Sequence, residues 1–167
     1  MRSIPSLADH TLRVVQPEFL KFRHEIRFGE EKIGSLAFPK SMSRICEMLC
    51  AEGHWTIDSA GGLKSDFLIK TFPDKERVAT YHPKVWSGKN ELQFPDGRML
   101  HIQSNFWRTR TGAYNTEGIE LLRFETEGVF KPEHLMIMNR TFAHTPQYSL
   151  IALVTLYIHV SPAKHTS

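Results

Sequence analysis

Short runs of alternating apolar and polar residues fill most of this chain, and turn-forming residues recur between them. Phe28-Gly29-Glu30-Glu31-Lys32-Ile33 separates alternating runs over 22–28 and 33–38. Forty-four residues on, Phe72-Pro73-Asp74-Lys75 separates runs over 67–72 and 78–81, and 44 further Asn115-Thr116-Glu117-Gly118 separates 113–114 from 119–124. Alternation of this kind, bounded by Gly, Pro and Asx, predicts β-hairpins. A second series runs in step. Glu52-Gly53 precedes His54-Trp55-Thr56-Ile57, and 44 residues later Asp96-Gly97 precedes Arg98-Met99-Leu100-His101-Ile102. In Phe94-Pro95-Asp96-Gly97-Arg98, proline presets φ and glycine supplies positive φ, so this is the clearest turn. The third member of the series is expected near residue 141, after Leu135-Met136-Ile137-Met138.

The pattern changes at the C-terminal end. Thr145-Pro146 predicts a helix start, with threonine as N-cap and proline at the first helical position, and Ser161-Pro162 a stop. Between them Leu150, Ile151, Leu153, Val154, Leu156, Tyr157, Ile158 and Val160 cover most of the helix surface. Only Tyr148, Ala152, Thr155 and His159 form a faintly polar stripe. A helix apolar nearly all round is a core helix or a membrane span. The apolar run over 150–160 is eleven residues, whereas a bilayer needs about 20, so burial in the protein is expected.

Two hairpins in each of three units make about twelve strands. Four-stranded propeller blades have a similar period, but three blades fall below the usual four to eight. The expectation is therefore a mainly β (α+β) fold, a closed antiparallel barrel around a buried C-terminal helix over 146–160. Closure removes the exposed strand edges. Residues 1–20 are expected to form an N-terminal extension, 21–160 a single barrel domain, and 161–167 a tail.

Those hairpin turns, the strand-turn-strand segment over 92–100, the aromatic pair Phe106-Trp107 and the apolar segment over 148–160 resemble the tubby C-terminal-like superfamily. That group includes the tubby domain, the LURP-one-related proteins and the phospholipid scramblases. The resemblance covers about residues 20–160 and is one of architecture. It implies a twelve-stranded barrel around a central hydrophobic helix, without enzymatic activity, that binds a phosphoinositide or another lipid head group. The cysteine-rich segment of the scramblases has no counterpart here, and no residue role is carried over.

Composition is that of an ordinary globular chain, with 41% hydrophobic and 23% charged residues. A net charge of +3 is too small for a dedicated nucleic-acid binder, though it tolerates anionic partners. Cys46 and Cys50, four apart, read as packed free thiols; the spacing is not C-x-x-C. Residues 1–10 carry Arg2, Pro5, Asp9 and His10 rather than the apolar run of a secretory signal. A cytoplasmic protein is expected, with no transmembrane segment.

Candidate chemistry is sparse. The nine histidines form no H-x-x-x-H and no Cys/His ligand set, so no metal is expected. No nucleophile elbow, phosphate loop or dinucleotide fingerprint occurs, so no catalytic residue is assigned and no cofactor is implied. Phe106-Trp107-Arg108-Thr109-Arg110, with Lys84 and Lys89 upstream, is the candidate anion site. On a strand, alternation would set Arg108 and Arg110 on one face and Trp107 on the other. Paired guanidiniums clamp phosphate well. The ordinary alternative is a solvated barrel face, with Trp55, Trp86 and Trp107 packing the barrel. Tyr148, Thr155 and His159 would line a pocket if one reached the helix.

Two functions fit. One is a non-enzymatic cytoplasmic module binding anionic lipid head groups, phosphoinositide or other phosphate-bearing ligands at a membrane periphery. The other is a structural barrel that presents loops to a protein partner and takes no small ligand.

Overall fold

A computed structural model describes residues 1–17, 22–39, 45–60, 66–84, 89–130 and 133–161. Twelve strands follow in chain order: β1 (Leu12–Val15), β2 (Arg23–Phe28), β3 (Glu31–Ala37), β4 (Cys46–Cys50), β5 (Gly53–Ser59) and β6 (Phe67–Thr71). Then come β7 (Arg77–His82), β8 (Lys89–Gln93), β9 (Met99–Ser104), β10 (Arg110–Tyr114), β11 (Glu120–Glu127) and β12 (Glu133–Met138). Each pairs antiparallel with its sequence neighbours, and β1 pairs with β12 as well as β2, closing the barrel. The single α-helix among the described residues, α1 (Tyr148–Val160), runs through its centre.

Alternation does what the sequence pattern predicts. In β4 the residues Cys46, Met48 and Cys50 are buried while Glu47 and Leu49 are less so; in β6 Phe67 and Ile69 turn inward. Both cysteines are free, and burial pushes their thiols up, Cys50 to about 12. Neither is a nucleophile at neutral pH. Trp55 packs against the core as expected, its ring lying over Gly53, where a Cβ would sit 2.4 Å from the indole.

Three expectations need correction. The barrel does not begin at residue 21, because β1 lies within 12–15 and supplies the closing strand. Its Leu12 and Val14 are buried opposite Met136 and His134. The third unit has no second hairpin near residue 141; a 3-10 turn, Arg140–Phe142, capped by the Asn139 side chain, stands there instead. The missing hairpin is replaced by β1 on one side and by the helix on the other. Finally, α1 starts at Tyr148 rather than 146, and its N-cap is Gln147 with φ 61. Arg98 reaches across to donate to the Pro146 carbonyl at 2.8 Å and to the Gln147 side chain, which holds this left-handed corner. Thr145 and Pro146 form a preceding turn, with the Tyr148 amide on the Thr145 carbonyl.

Every residue of α1 except Val160 is buried. Thirteen residues at about 1.5 Å each span roughly 20 Å. No helix among the described residues is long and apolar enough to cross a membrane. Where the helix meets β3, Gly34 leaves room for Leu153: a Cβ there would sit 3.5 Å from Leu153 Cδ2 and 3.3 Å from the Leu49 carbonyl.

The topology gives the barrel two unlike rims. β12 ends where the helix enters, and this entry rim has the connections 29–30, 51–52, 72–76, 94–98 and 115–119. The connections 16–22, 38–45, 60–66, 83–88, 105–109 and 128–132 join strands at the exit rim, where α1 ends.

Candidate functional site

At the exit rim, β9 and β10 are joined by a tight turn over 105–109. Asn105 organises it: its Oδ1 accepts from the Arg110 amide at 3.0 Å and its Nδ2 donates to Thr109 Oγ1 at 2.7 Å. Phe106-Trp107-Arg108 is therefore the turn itself and not part of a strand, which corrects the expected alternation. Arg108 adopts φ 53, a conformation rare for a side-chain-bearing residue. That bend sends its guanidinium inward, where Nη1 donates to the Ser161 carbonyl at 2.7 Å. A cation on the orphan carbonyls of a helix C-terminus satisfies both the hydrogen bond and the helix dipole. Arg108→Ala is expected to cost about 1–2 kcal/mol and to speed amide exchange across the last turn of α1. Arg108→Gly should speed that exchange equally while sparing the backbone strain.

With Arg108 turned in, the tip presents only rings. Phe106 and Trp107 are 88% and 78% exposed, and pack edge to face with centroids 5.0 Å apart. Trp107 is thus not a barrel-packing residue, contrary to expectation; Trp86 lies outside the described residues. The neighbouring hairpin of β11 and β12 ends in Gly128 with φ 87, followed by Val129 and Phe130, 92% and 98% exposed. The two hairpins are hydrogen-bonded side by side, the Thr126 amide donating to the Thr109 carbonyl at 2.7 Å.

The four cations expected to bind an anion all fall at this rim without forming one cluster. Lys84 pairs with the Glu91 carboxylate. Lys89 begins β8 opposite Gln103. Arg110 begins β10, and its side chain meets Glu120 at 3.3 Å; Glu120 is also held by Arg123 at 2.8 Å. Arg108 and Arg110 do not share a face, because one serves the helix end and the other the outer ion pairs of β10 and β11.

The expected pocket residues are all occupied with structural contacts. Tyr148 donates its hydroxyl to the Leu121 carbonyl at 2.8 Å, and Thr155 donates to the Ile151 carbonyl at 2.7 Å. His159 sits inside the exit rim. Its Nδ1 is 3.0 Å from Thr111 Oγ1, and its Nε2 is 3.0 Å from Thr126 Oγ1 and 3.2 Å from His134 Nδ1. His24, whose buried Nδ1 has no partner among the described residues, opposes the charging of His159 and is itself opposed by His134. Burial, reinforced by His134, lowers His24 to about 4; burial, then His134, His24 and Arg108, lowers His159 likewise to about 4. Single-residue reading marked His159 but missed this grouping, since 24, 134 and 159 come from β2, β12 and α1. Among the described residues no group of three or more His, Cys, Asp or Glu is placed to hold a metal ion.

A shallow groove of about 340 Å³ lies on the outside of β6, β7 and β8, lined by Asp66, Arg77, Thr80, His82, Gln93 and Phe94 among others. Asp66 contacts His82 Nδ1 at 2.8 Å there, and no helix residue lines it.

The chain is similar in fold to an Arabidopsis thaliana protein of known X-ray structure. The two superpose with a TM-score of 0.59 over 93% of this chain and 95% of the other, at 11% sequence identity. That likeness concerns the fold alone. No protein-family model matches the chain, and no curated protein does.

Proposed function

We propose that this chain is a non-catalytic, cytoplasmic binding module that docks on anionic membrane surfaces through the exit rim of its barrel. The carrying observation is the partition of charge between the rims. In the sequence, the six connections at the exit rim hold seven Lys and Arg, of which Arg108 is turned onto the helix end and Lys84 onto Glu91, against two acids, Glu18 and Asp66. The five at the entry rim hold six acids against Lys75 and Arg98, and residues 1–11 and 139–147 at the same rim add Asp9 against Arg2 and Arg140. Strand residues bordering the exit rim are near balance, Arg23, Lys89 and Arg110 against Glu127 and Glu133, and leave this polarity in place. A molecule charged oppositely at its two ends orients in the field of an anionic surface, its basic end foremost. Each Lys or Arg near such a surface contributes about 1 kcal/mol at physiological salt.

The resemblance to the tubby C-terminal-like superfamily, LURP-one-related proteins included, supports the same reading, since lipid head groups are what that architecture implies. Functions differ widely among proteins of one fold, so the charge partition carries more weight. The test is flotation with vesicles. Protein is expected to float with vesicles containing phosphatidylserine or phosphoinositide and to be released as salt rises through the physiological range, because screening shortens the attraction. Indifference to such vesicles at low salt would end the proposal.

A further inference from the structure

We infer that the two adjacent hairpin tips, Phe106-Trp107 and Val129-Phe130, are bilayer anchors that enter the lipid interface when the exit rim docks. This deepens the membrane reading and rests on it for the partner, but it has its own observations. Of the large hydrophobic side chains exposed on the described surface, six lie at the exit rim and three, Met1, Phe72 and Ile119, lie elsewhere. The four most exposed are the four tip residues, on hairpins adjacent in the barrel; Phe22, before β2, and Ile45, before β4, lie farther round the same rim. Exposed apolar side chains scattered singly need no explanation, whereas a contiguous set on one end does.

Geometry favours lipid over a protein face. The tips are narrow projections at the ends of paired hairpins, each offering two apolar side chains and little flat area between. A stable protein interface needs roughly 800 Å² on each partner, with anchors set into pockets. A bilayer needs no matching shape. Tryptophan at the rim suits the head-group level, where an apolar ring meets a polar N–H. The charges that would resist insertion have been directed away from the first tip. Arg108 is turned inward onto the Ser161 carbonyl, and Arg110 reaches along the barrel wall to Glu120. Arg108 also ties this tip to the end of α1, so the anchor stands on the rigid core of the barrel.

The experiment pairs two double variants, Phe106→Ser with Trp107→Ser and Val129→Ser with Phe130→Ser, with Ile119→Ser at the entry rim as control. Flotation is run against anionic and purely zwitterionic vesicles, and tryptophan fluorescence against vesicles with brominated acyl chains. Each tip variant is expected to lose on the order of tenfold in vesicle affinity, with the control unchanged and all variants melting like wild type. Bromolipid should quench wild type and spare most of that loss in Trp107→Phe. Vesicle binding by wild type that both tip variants retain, or that brings no bromolipid quenching, overturns the anchors and leaves the electrostatic reading standing. Tip-dependent binding that is equal on zwitterionic vesicles removes the electrostatic reading and keeps the anchors. Tip-dependent self-association without vesicle binding overturns them in favour of a second copy of this chain.

Discussion

Acidification from pH 7 to about 5 is expected to remove roughly 2–4 kcal/mol of folding stability, before most carboxylates are neutralised. The cause is the histidine group inside the exit rim. His24 and His159 are held neutral by burial and by His134, each near 4 in the fold against 6.5 unfolded. The unfolded chain therefore takes up protons that the fold refuses. Stability is complete above about pH 6.5, falls as pH drops toward 4, and levels once the folded rings also charge. The hydrogen bonds explain the refusal. His134 Nδ1 and His159 Nε2 face one another at 3.2 Å, with Thr126 shared between them. Two neutral rings can supply one donor and one acceptor there, while two protonated rings supply only donors. Urea unfolding at a series of pH values checks this. His24→Leu should flatten the slope between pH 6.5 and 4 and leave stability at pH 7 nearly unchanged, since it deletes a buried nitrogen without a partner. A wild-type profile flat across that window would sink the account. Losses below pH 4 have another source, including Glu31 and Glu91, which Arg2 and Lys84 hold below the usual carboxylate range.

Leu153→Ala is expected to cost about 2–5 kcal/mol, a large part of the total for a domain of this size. Leu153 is fully buried and faces Gly34 of β3, where even an added Cβ would stand only in ordinary contact with it. The barrel wall cannot collapse onto the vacated space, because β3 is hydrogen-bonded on both sides to β2 and β4. The cavity therefore persists, and cavity volume adds to the lost transfer free energy. A fall in the urea midpoint without a change in its slope is the expected record. A loss below about 1 kcal/mol would mean that the helix is loosely held.

The strands were largely legible because a half-buried strand repeats every two residues, a repeat clearest in β4, β6, β7 and β9, and because turns of recognisable chemistry bound them. The helix was legible from its all-round apolarity and its length. Neither signal reaches β1. Four residues, Leu12–Val15, are too short to stand out, and their place is set by pairing with β12 more than a hundred residues away. The same distance hid the histidine group and sent Arg108 wrong. Local alternation read 106–110 as a strand, whereas Asn105 closes a turn there and the helix end draws the guanidinium inward.

Periodicity and apolar content, which act over a few neighbours, determined that the chain makes a barrel of hairpins around a helix. Which strand closes the barrel, which rings the rim exposes and which histidines face one another were decided only when distant segments met. Such contacts depend on register and chain direction, and no window of sequence holds both partners.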